Sequence, residues 1–457
     1  MSNLFSSINS AAGAMRTYEK AMEVVQNDTV NANTPGYVRQ TVAFQSKPFD
    51  LNGAQPGGVA INQVISSRDE YAEHNVQLQQ TAVGKSSTLA SHLSQIELVF
   101  DLQSTTGVAG SLNSLFSAFS QLTINPNDSQ LRQSVINAAS RLSDSFNVAA
   151  NQLNNAGQTI DSDMQNAVAG VNTILGDIQQ INVALRRNSE TGLDPSVDTR
   201  LHVDLENLSQ YADITSIRAQ DGSISVFLGG QRPLVVGTTQ YPLTASTGGP
   251  TTAILDSSGN DVSSYISGGQ LGASLEIKNT LIPGYLSQLD KLAKGISDTI
   301  NAQLAAGVDQ SNSAGAPLFQ YNPAAPAKTL SVTAITASQL AAASLTSPGG
   351  NDNAMALSGL QNSNVASLGG FTFLQFYSNL ASTIGRDVSN ASDDKTTQQQ
   401  LLAQAQSLRS ESSSVSLDEE ASRLVEYQRS YQATSKLISV IDSMTQVLLG
   451  LIPTASA

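Results

Sequence analysis

A heptad repeat near the C-terminus constrains the fold of this chain more than any other feature of its sequence. Two series of residues there each have a spacing of seven and are offset from each other by three: Leu417, Leu424, Tyr431 and Ile438, then Tyr427, Thr434, Ile441 and Leu448. This alternation of threes and fours is typical of the seam of a coiled coil. It predicts a helix from Ser416 to Leu449, about 50 Å long at 1.5 Å per residue.

The residues at the start of this helix predict how it begins. Ser416 can cap the helix while the side chain of Glu419 reaches back to the backbone of Ser416 in a capping box. The acidic run Asp418-Glu419-Glu420 places negative charge at the positive end of the helix dipole. These two roles account for the acidic run without a metal site or an acid–base site.

A second stripe of the same kind lies at the N-terminus. Its members alternate by fours and threes: Leu4, Ile8, Ala11, Met15, Tyr18, Met22, Val25 and Thr29. An isolated amphipathic helix of this length is marginally stable in water, so each stripe requires a partner. Two interpretations stay open, because the helices can form a hairpin within one chain or can pair with copies of themselves as well. Tyr18, Tyr427 and Tyr431 favour the second, since a buried tyrosine hydroxyl needs a partner.

A sharp turn is predicted directly after the N-terminal helix, in the segment NANTPGYVRQ at residues 31–40. Pro35-Gly36 is a strong turn signal, and the proline biases Thr34 towards an extended conformation. We therefore expect Pro35, Gly36 and Tyr37 to set the turn.

The composition excludes several classes of function. The net charge of −14 argues against nucleic acid as a partner, since binding it requires clustered Lys and Arg. The absence of cysteine among the 457 residues excludes disulfides and thiolate chemistry. No charged start followed by an apolar region marks a cleaved signal peptide. The most apolar run, residues 447–452, is too short to span a bilayer, so no membrane insertion is expected.

The interior pattern predicts a mainly α fold with an inserted small β domain. Long apolar periodicities indicate an elongated helical domain over residues 37–211 and 272–415. Short β-branched runs separated by Asp-Gly and Gly-Gly predict the β domain at 212–271. The ends, 1–36 and 416–457, form the terminal coiled-coil domain. Such discontinuous, nested domains bring the two chain ends together.

No motif for catalysis, cofactor binding or metal binding was found. Gly84-Lys85-Ser86 resembles part of a phosphate-binding loop, but Gln79 stands where that motif needs a glycine, and the segment reads as helix. The histidines His74, His92 and His202 form no ligand pair, and no cysteine supplements them. We therefore expect a protein that is not an enzyme and has no cofactor.

Both ends of the chain resemble the axial proteins of the bacterial flagellum, which include rod, hook and hook-associated proteins. The resemblance is carried by the heptad start, by NANTPGYVRQ and by LDEEASRLVEYQRSYQATSKLISVID at the other end. Three interior segments are similar to the hook-associated proteins of the hook–filament junction: residues 222–243, 268–293 and 351–360. One departure is Asp28-Thr29-Val30, where the family reads closer to Asn-Ile-Ala, so a charge stands where a neutral amide is usual.

The resemblance implies a structural subunit of the flagellum that forms the junction between hook and filament and polymerises through its terminal helices. It implies self-association in a ring, with hook protein on one side and a second hook-associated junction protein on the other. A cytoplasmic export chaperone would bind the C-terminal helix, and the chain would reach the extracellular flagellum through the flagellar export apparatus.

On this interpretation the heptad residues at both ends make the assembly contacts: Leu4, Ile8, Met15, Tyr18, Met22, Val25, Leu424, Tyr427, Tyr431, Ile438, Ile441 and Leu448. Two rivals stay open. One is another axial subunit, from the hook or the distal rod, which would share the ends but have an interior dominated by β structure. The other is an enzyme carried on an axial scaffold, which would need a catalytic constellation in residues 212–271.

Overall fold

The computed structural model describes residues 2–50, 55–100, 107–187 and 194–450. Most of this part of the chain is helical. The helices are α1 Ser2–Asn31, α2 Glu70–Glu97, α3 Val108–Ile124, α4 Ser129–Arg187, α5 Pro195–Tyr211, α6 Gly269–Glu276, α7 Ile282–Ala305, α8 Pro326–Thr329, α9 Asp352–Gly359, α10 Phe373–Ser413 and α11 Leu417–Gly450. The mainly α fold with an inserted β segment is confirmed.

The strands are short except for the first two. They are β1 Gln40–Asp50, β2 Gln55–Ser66, β3 Ile214–Arg218, β4 Ile224–Leu228, β5 Arg232–Val236, β6 Thr239–Gln240, β7 Thr244–Ser246, β8 Ala253–Leu255, β9 Gly307–Val308, β10 Phe319–Gln320, β11 Ser331–Val332 and β12 Ala343–Ser344. Strands β3 to β6 form one antiparallel sheet in chain order, and β1 pairs with β2 in a separate hairpin.

The long helix α4 runs through both hydrophobic cores of the body. Asp128 caps its start, because the Asp128 carboxylate accepts hydrogen bonds from the backbone N–H groups of Gln130 and Leu131 at 2.7 and 3.3 Å. The first part of α4, through Ile160, packs with α3, α7 and α10 in the larger, helical core. From Met164 onwards it belongs to a second core.

The second core joins helices to the β sheet. Buried residues of α4 and α5 pack there against β4, β5 and β8. Two side-chain amides of α4 bind the β segment directly: Asn182 donates to the carbonyls of Ile224 and Gly237 at 2.7 Å each, and Asn172 donates to the carbonyl of Leu243. The β segment therefore shares its core with helices outside 212–271. The division into three domains stays a prediction.

A π-helical turn, Ile277–Leu281, connects α6 to α7 at the boundary between the two cores. Lys278 on this turn forms an ion pair with Asp161 of α4 at 2.7 Å, and both side chains are largely buried. The amide of the next residue, Asn279, bonds both the N–H and the carbonyl of Thr252, just before β8. Two consecutive residues of this π-helical turn thus bind different parts of the protein: Lys278 contacts α4, and Asn279 contacts the β segment.

Two pairs of long helices pack along each other. The first is α1 with α11, and the second, in the body, is α2 with α10. We call the connection between the pairs the elbow, and define it as residues 32–39 together with 414–416. The backbone N–H of Arg39, in the elbow, donates to the carbonyl of Ser413 at the end of α10 at 3.0 Å, which ties the two connecting segments together.

The hairpin of β1 and β2 packs on α1, whereas the sequence pattern places residues 37–66 in the elongated helical domain. Ser10 and Thr17 of α1 donate to the carbonyls of Gly57 and Val59 in β2, at 2.6 and 3.3 Å. The hairpin therefore belongs with the terminal helix pair.

Candidate assembly interface

The seam between α1 and α11 includes most of the heptad residues that the sequence singles out. Val25 and Ile441 are buried. The half-buried residues are Leu4, Ile8, Met15, Tyr18, Met22, Leu424, Tyr427, Tyr431 and Ile438. Leu448 is 44% exposed, near the end of α11. Because most of these side chains keep contact with solvent, the pair leaves apolar surface for further partners; that they make assembly contacts stays a prediction.

Several of the most buried residues of α1 lie one position before members of the predicted stripe. Ala21 and Asp28 are fully buried, whereas the stripe contains Met22 and Thr29. The buried set and the stripe share Ala11 and Val25. A small side chain such as that of Ala21 lets two helices approach closely, which places the larger methionine on the flank. Periodicity alone did not reveal this rotation.

An aromatic cluster fixes the hairpin to both terminal helices. The ring of Phe44 in β1 lies 5.9 Å from that of Tyr18 in α1 and 5.8 Å from that of Tyr427 in α11. The second contact is edge-to-face, a favourable arrangement for aromatic pairs. Sequence reasoning missed Phe44, because the apolar run Val42-Ala43-Phe44 lacks the period-two alternation that marks a strand.

A second apolar stripe lies on α11 beside the seam and faces solvent. Its members follow a spacing of three, four and three and are between 52 and 65% exposed: Leu437, Val440, Met444 and Val447. We call this set the outer stripe. On one helix it adds a continuous apolar face that α1 does not cover, and contiguous exposed apolar surface marks interaction sites.

The turn of the elbow requires glycine at residue 36. Gly36 has φ 74°, in the left-handed region, and a Cβ atom there would lie 2.6 Å from Cγ2 of Val203 in α5. The side chain of Arg68 donates to the Gly36 carbonyl at 2.9 Å. The Pro35-Gly36-Tyr37 turn thus rests directly on the body of the protein.

A buried charge network lies on the body side of the elbow. Arg68 pairs with Glu73 and, at 2.8 Å, with Asp198, and all three side chains are less than 10% exposed. Arg409 of α10 then joins Glu73 at 3.0 Å to Glu206 at 2.7 Å. The network connects α2, α5 and α10 to the carbonyl of Gly36.

Asp198 is the most strongly perturbed acid of this network. Burial alone would raise the pKa of its carboxyl, but the hydrogen bond and charge of His202, together with Arg68, outweigh burial and hold that pKa well below its usual range. Asp198 is therefore ionised, as its position between the guanidinium groups of Arg68 and Arg218 requires.

Asp28 of α1 and Tyr37 of the elbow connect the end of α1 to the turn. The Tyr37 hydroxyl donates to Oδ1 of Asp28 at 2.6 Å, and the backbone N–H of Gln40 lies 3.1 Å from both Asp28 oxygens. Asp28, the departure from the family pattern, is thus the acceptor that ties the end of α1 to the turn and to β1. Tyr37 acts through its hydroxyl as well as through its position.

The start of α11 is held to the elbow by an ion pair. Nη1 of Arg39 lies 2.6 Å from Oε2 of Glu419. The helix begins at Leu417, directly after Ser416, and the backbone N–H of Glu420 bonds the Ser416 carbonyl. The capping box between Ser416 and Glu419 stays a prediction, since the contact found for Glu419 is with Arg39.

The structure shows where the glycine and histidine candidates for a chemical site lie. Gly84 lies within α2, where a Cβ atom would come within 2.2 Å of the Gln210 carbonyl oxygen, so this glycine permits α2 and α5 to approach. His92 lies 3.6 Å from Asp163, and His74 is exposed. In the part of the chain that the structure describes, no group of three potential metal ligands occurs. Nor does any helix there combine the length and apolar character needed to cross a membrane.

The fold and these surfaces define a class of protein: a structural subunit whose paired terminal helices carry uncovered apolar faces and rest on a helical body. Comparison with known proteins gives the same class. The family model of the flagellar hook-associated protein FlgK helical domain matches residues 93–319. That of the flagellar basal body rod FlgEFG protein C-terminal region matches residues 404–451.

Similar proteins span the whole chain. Flagellar hook-associated protein 1 of Bacillus subtilis is 24% identical over 98% of this chain and 99% of its own length. The protein of the same name from Salmonella typhimurium is 23% identical over 97% and 99%. The solved structure of the flagellar hook junction protein FlgK from Burkholderia pseudomallei shares the fold, with a TM-score of 0.67 and 16% identity over 75% of this chain and 100% of that one. The chain belongs to the FlgK family of flagellar hook-associated proteins and is a structural protein of the flagellum.

Proposed function

We propose that this chain is the structural subunit that joins hook to filament, and that it polymerises through α1 and α11. The outer stripe carries the proposal. It is an apolar face that stays exposed after the two terminal helices have paired within one chain. Burying such a face against a neighbouring subunit is favourable by about 25 cal/mol per Å² of apolar surface. In this arrangement the terminal pair forms the inner tube, and the body makes lateral contacts.

The proposed partners follow from the same surface. Copies of the chain associate in a ring, with hook protein on one side and a second hook-associated junction protein on the other. Before assembly, a cytoplasmic chaperone covers the apolar faces of α11. The protein leaves the cell through the flagellar export apparatus and resides on the extracellular flagellum.

The interior separates this proposal from the rival axial subunits. The C-terminal match at 404–451 is to a region named for basal body rod proteins, so α11 alone does not distinguish this chain from other axial subunits. The body between the ends is mainly helical, and its match over 93–319 is to the helical domain of FlgK. A hook or distal-rod subunit would have an interior dominated by β structure.

Removing residues 440–457 tests the proposal. The truncation deletes Val440, Met444 and Val447 of the outer stripe and leaves both cores of the body intact. We expect a folded body, measured by circular dichroism, and no incorporation at the hook tip in cells that lack the native subunit. The culture medium is assayed as well, because truncated chain found there shows that export succeeded and assembly failed. Normal filaments built with the truncated chain would contradict the proposal.

A further inference from the structure

Two acidic side chains beside the elbow, one on each terminal helix, are fully buried. Asp28 of α1 and Glu420 of α11 are each 0% exposed. Asp28 has its hydrogen bonds to Tyr37 and Gln40. For Glu420, Oε1 lies 3.3 Å from Nη1 of Arg423, whereas Oε2 is buried with no hydrogen-bond partner among the described residues. A buried, unpartnered carboxylate oxygen is costly unless it carries a proton or finds a donor.

The charges around this pair do not balance when every acid is ionised. From the elbow, Arg39 faces the pair, but its Nη1 is engaged by Glu419 at 2.6 Å and its Nε is buried without a partner. From α11, Arg423 contributes the other positive charge, and Tyr427 is a neutral phenol nearby. Three carboxylates thus face two guanidinium groups, and a single added proton makes the cluster neutral.

We infer that closure of α11 on α1 takes up one proton, which is held by the buried acids Asp28 and Glu420. The proton neutralises the cluster and gives the buried oxygen of Glu420 a hydrogen to donate. In the open form both acids are solvated and lose this proton at neutral pH. The pairing of α1 with α11 in the monomer therefore depends on pH. The proposed assembly role does not by itself require this property.

The direction of the effect follows from the two acids. Burial raises the pKa of Asp28 above 3.8, and burial, together with the charge of Asp28, raises the pKa of Glu420 above 4.5. The closed form therefore binds more protons than the open form between these ordinary values and the raised ones. The contribution of these protons to the stability of the closed form is fully present below the ordinary pKa values and is lost as pH rises through the raised ones. Release of one proton lowers the ratio of closed to open forms by at most about tenfold per pH unit.

The full chain contains no cysteine, so two introduced cysteines can report closure without other changes. Gln26→Cys on α1 and Gln428→Cys on α11 replace exposed residues and carry nitroxide labels. Pulsed electron spin resonance gives the fractions of molecules with a short and with a long distance between the two labels. It is measured at pH values from about 4 to 8, the range in which perturbed carboxyls titrate. Circular dichroism of each sample monitors the body.

Neutral variants decide whether the pair is responsible. Asp28→Asn and Glu420→Gln each keep the shape of the side chain and an oxygen acceptor, and we expect either to flatten the pH profile and to raise the closed fraction at pH 7. The matched controls Glu23→Gln on α1 and Glu426→Gln on α11 remove the same charge at exposed positions and should keep the profile of the parent chain.

Two results would overturn the inference. One is a closed fraction in the parent chain that does not change with pH. The other is a Glu420→Gln variant that closes less at every pH, which would mean that an ionised Glu420 is held by a water bridge to Arg39. Neither result bears on the polymerisation proposal, because closure is measured in the monomer.

Discussion

At the residue scale, the elbow depends on contacts between segments that lie far apart in the sequence. Pro35-Gly36 predicts a turn from local chemistry alone. The sequence cannot show that Arg68 reaches the Gly36 carbonyl, or that Arg409 joins Glu73 to Glu206, because each contact requires the tertiary arrangement of α2, α5 and α10. Sequence reasoning therefore located the turn and missed the charge network beneath it.

Gly36→Ala should destabilise the elbow. The left-handed conformation costs a non-glycine residue roughly 1–2 kcal/mol, and the Cβ contact of 2.6 Å with Val203 adds steric strain. We expect a loss of about 2 kcal/mol or more in the free energy of unfolding, measured by urea titration. Adding Val203→Ala should restore the steric part only.

Gly237→Ala is the matched control for this substitution. Gly237 also has a positive φ, 57°, but nothing lies within 4 Å of the position of its Cβ. Only the backbone cost of roughly 1–2 kcal/mol applies there. Equal effects at both glycines, with no rescue by Val203→Ala, would show that the turn does not press on α5.

At the element scale, helix ends were predictable and the surroundings of each helix were not. Asp128 and Asp194-Pro195 mark the starts of α4 and α5 because capping is a local interaction. The hairpin of β1 and β2 was missed as an element, because the sequence pattern assigns both of its strands to the elongated helical domain. Its pairing register contains a bulge between Ala43 and Phe44, which interrupts the period-two pattern that predicts strands.

The outer stripe of α11 should be required for assembly and dispensable for the fold of the monomer. Val440→Asp and Met444→Asp place a charge on surface that solvent contacts in the free chain, so monomer stability should change by less than about 0.5 kcal/mol. In the assembled state the same charge would be buried without a partner. We expect at least about a tenfold loss of incorporation at the hook tip, measured by immunoblotting of purified hook–filament complexes.

Substitutions on the opposite side of α11 control for the added charge. Ser439→Asp and Gln446→Asp lie on exposed positions away from both the outer stripe and the α1 seam. Both variants should incorporate normally. If they fail as severely as Val440→Asp, the loss comes from charge on the helix and not from the stripe.

At the scale of the whole molecule, the nested order of the chain was predicted and the sharing of cores was not. Paired heptads at both ends imply that the ends meet, and α1 does pack along α11. The β segment, however, shares its core with the second part of α4, beyond Met164. A sequence pattern shows which face of α4 is apolar along its length, but not that two different partners cover successive parts of that face.

This architecture predicts a gradient of local stability in the free monomer. In α4 several residues, such as Leu142, Phe146 and Leu153, have no exposed surface, whereas the α1–α11 seam is mostly half-buried. Amide hydrogens open locally where few apolar contacts are buried. We therefore expect amides of α1 and α11 to be at least about tenfold less protected than those of α4, measured by hydrogen exchange with mass spectrometry.

Assembly should reverse this gradient at the ends, because neighbouring subunits then bury the outer stripe and the open side of the seam. Hydrogen exchange on purified hook–filament complexes should show strong protection in α1 and α11 and little change in α4, which serves as the internal control. If α1 and α11 were as protected as α4 in the free monomer, the pair within one chain would already be complete. The terminal helices would then act as a fixed stalk, and the driving force for assembly would have to lie in the body.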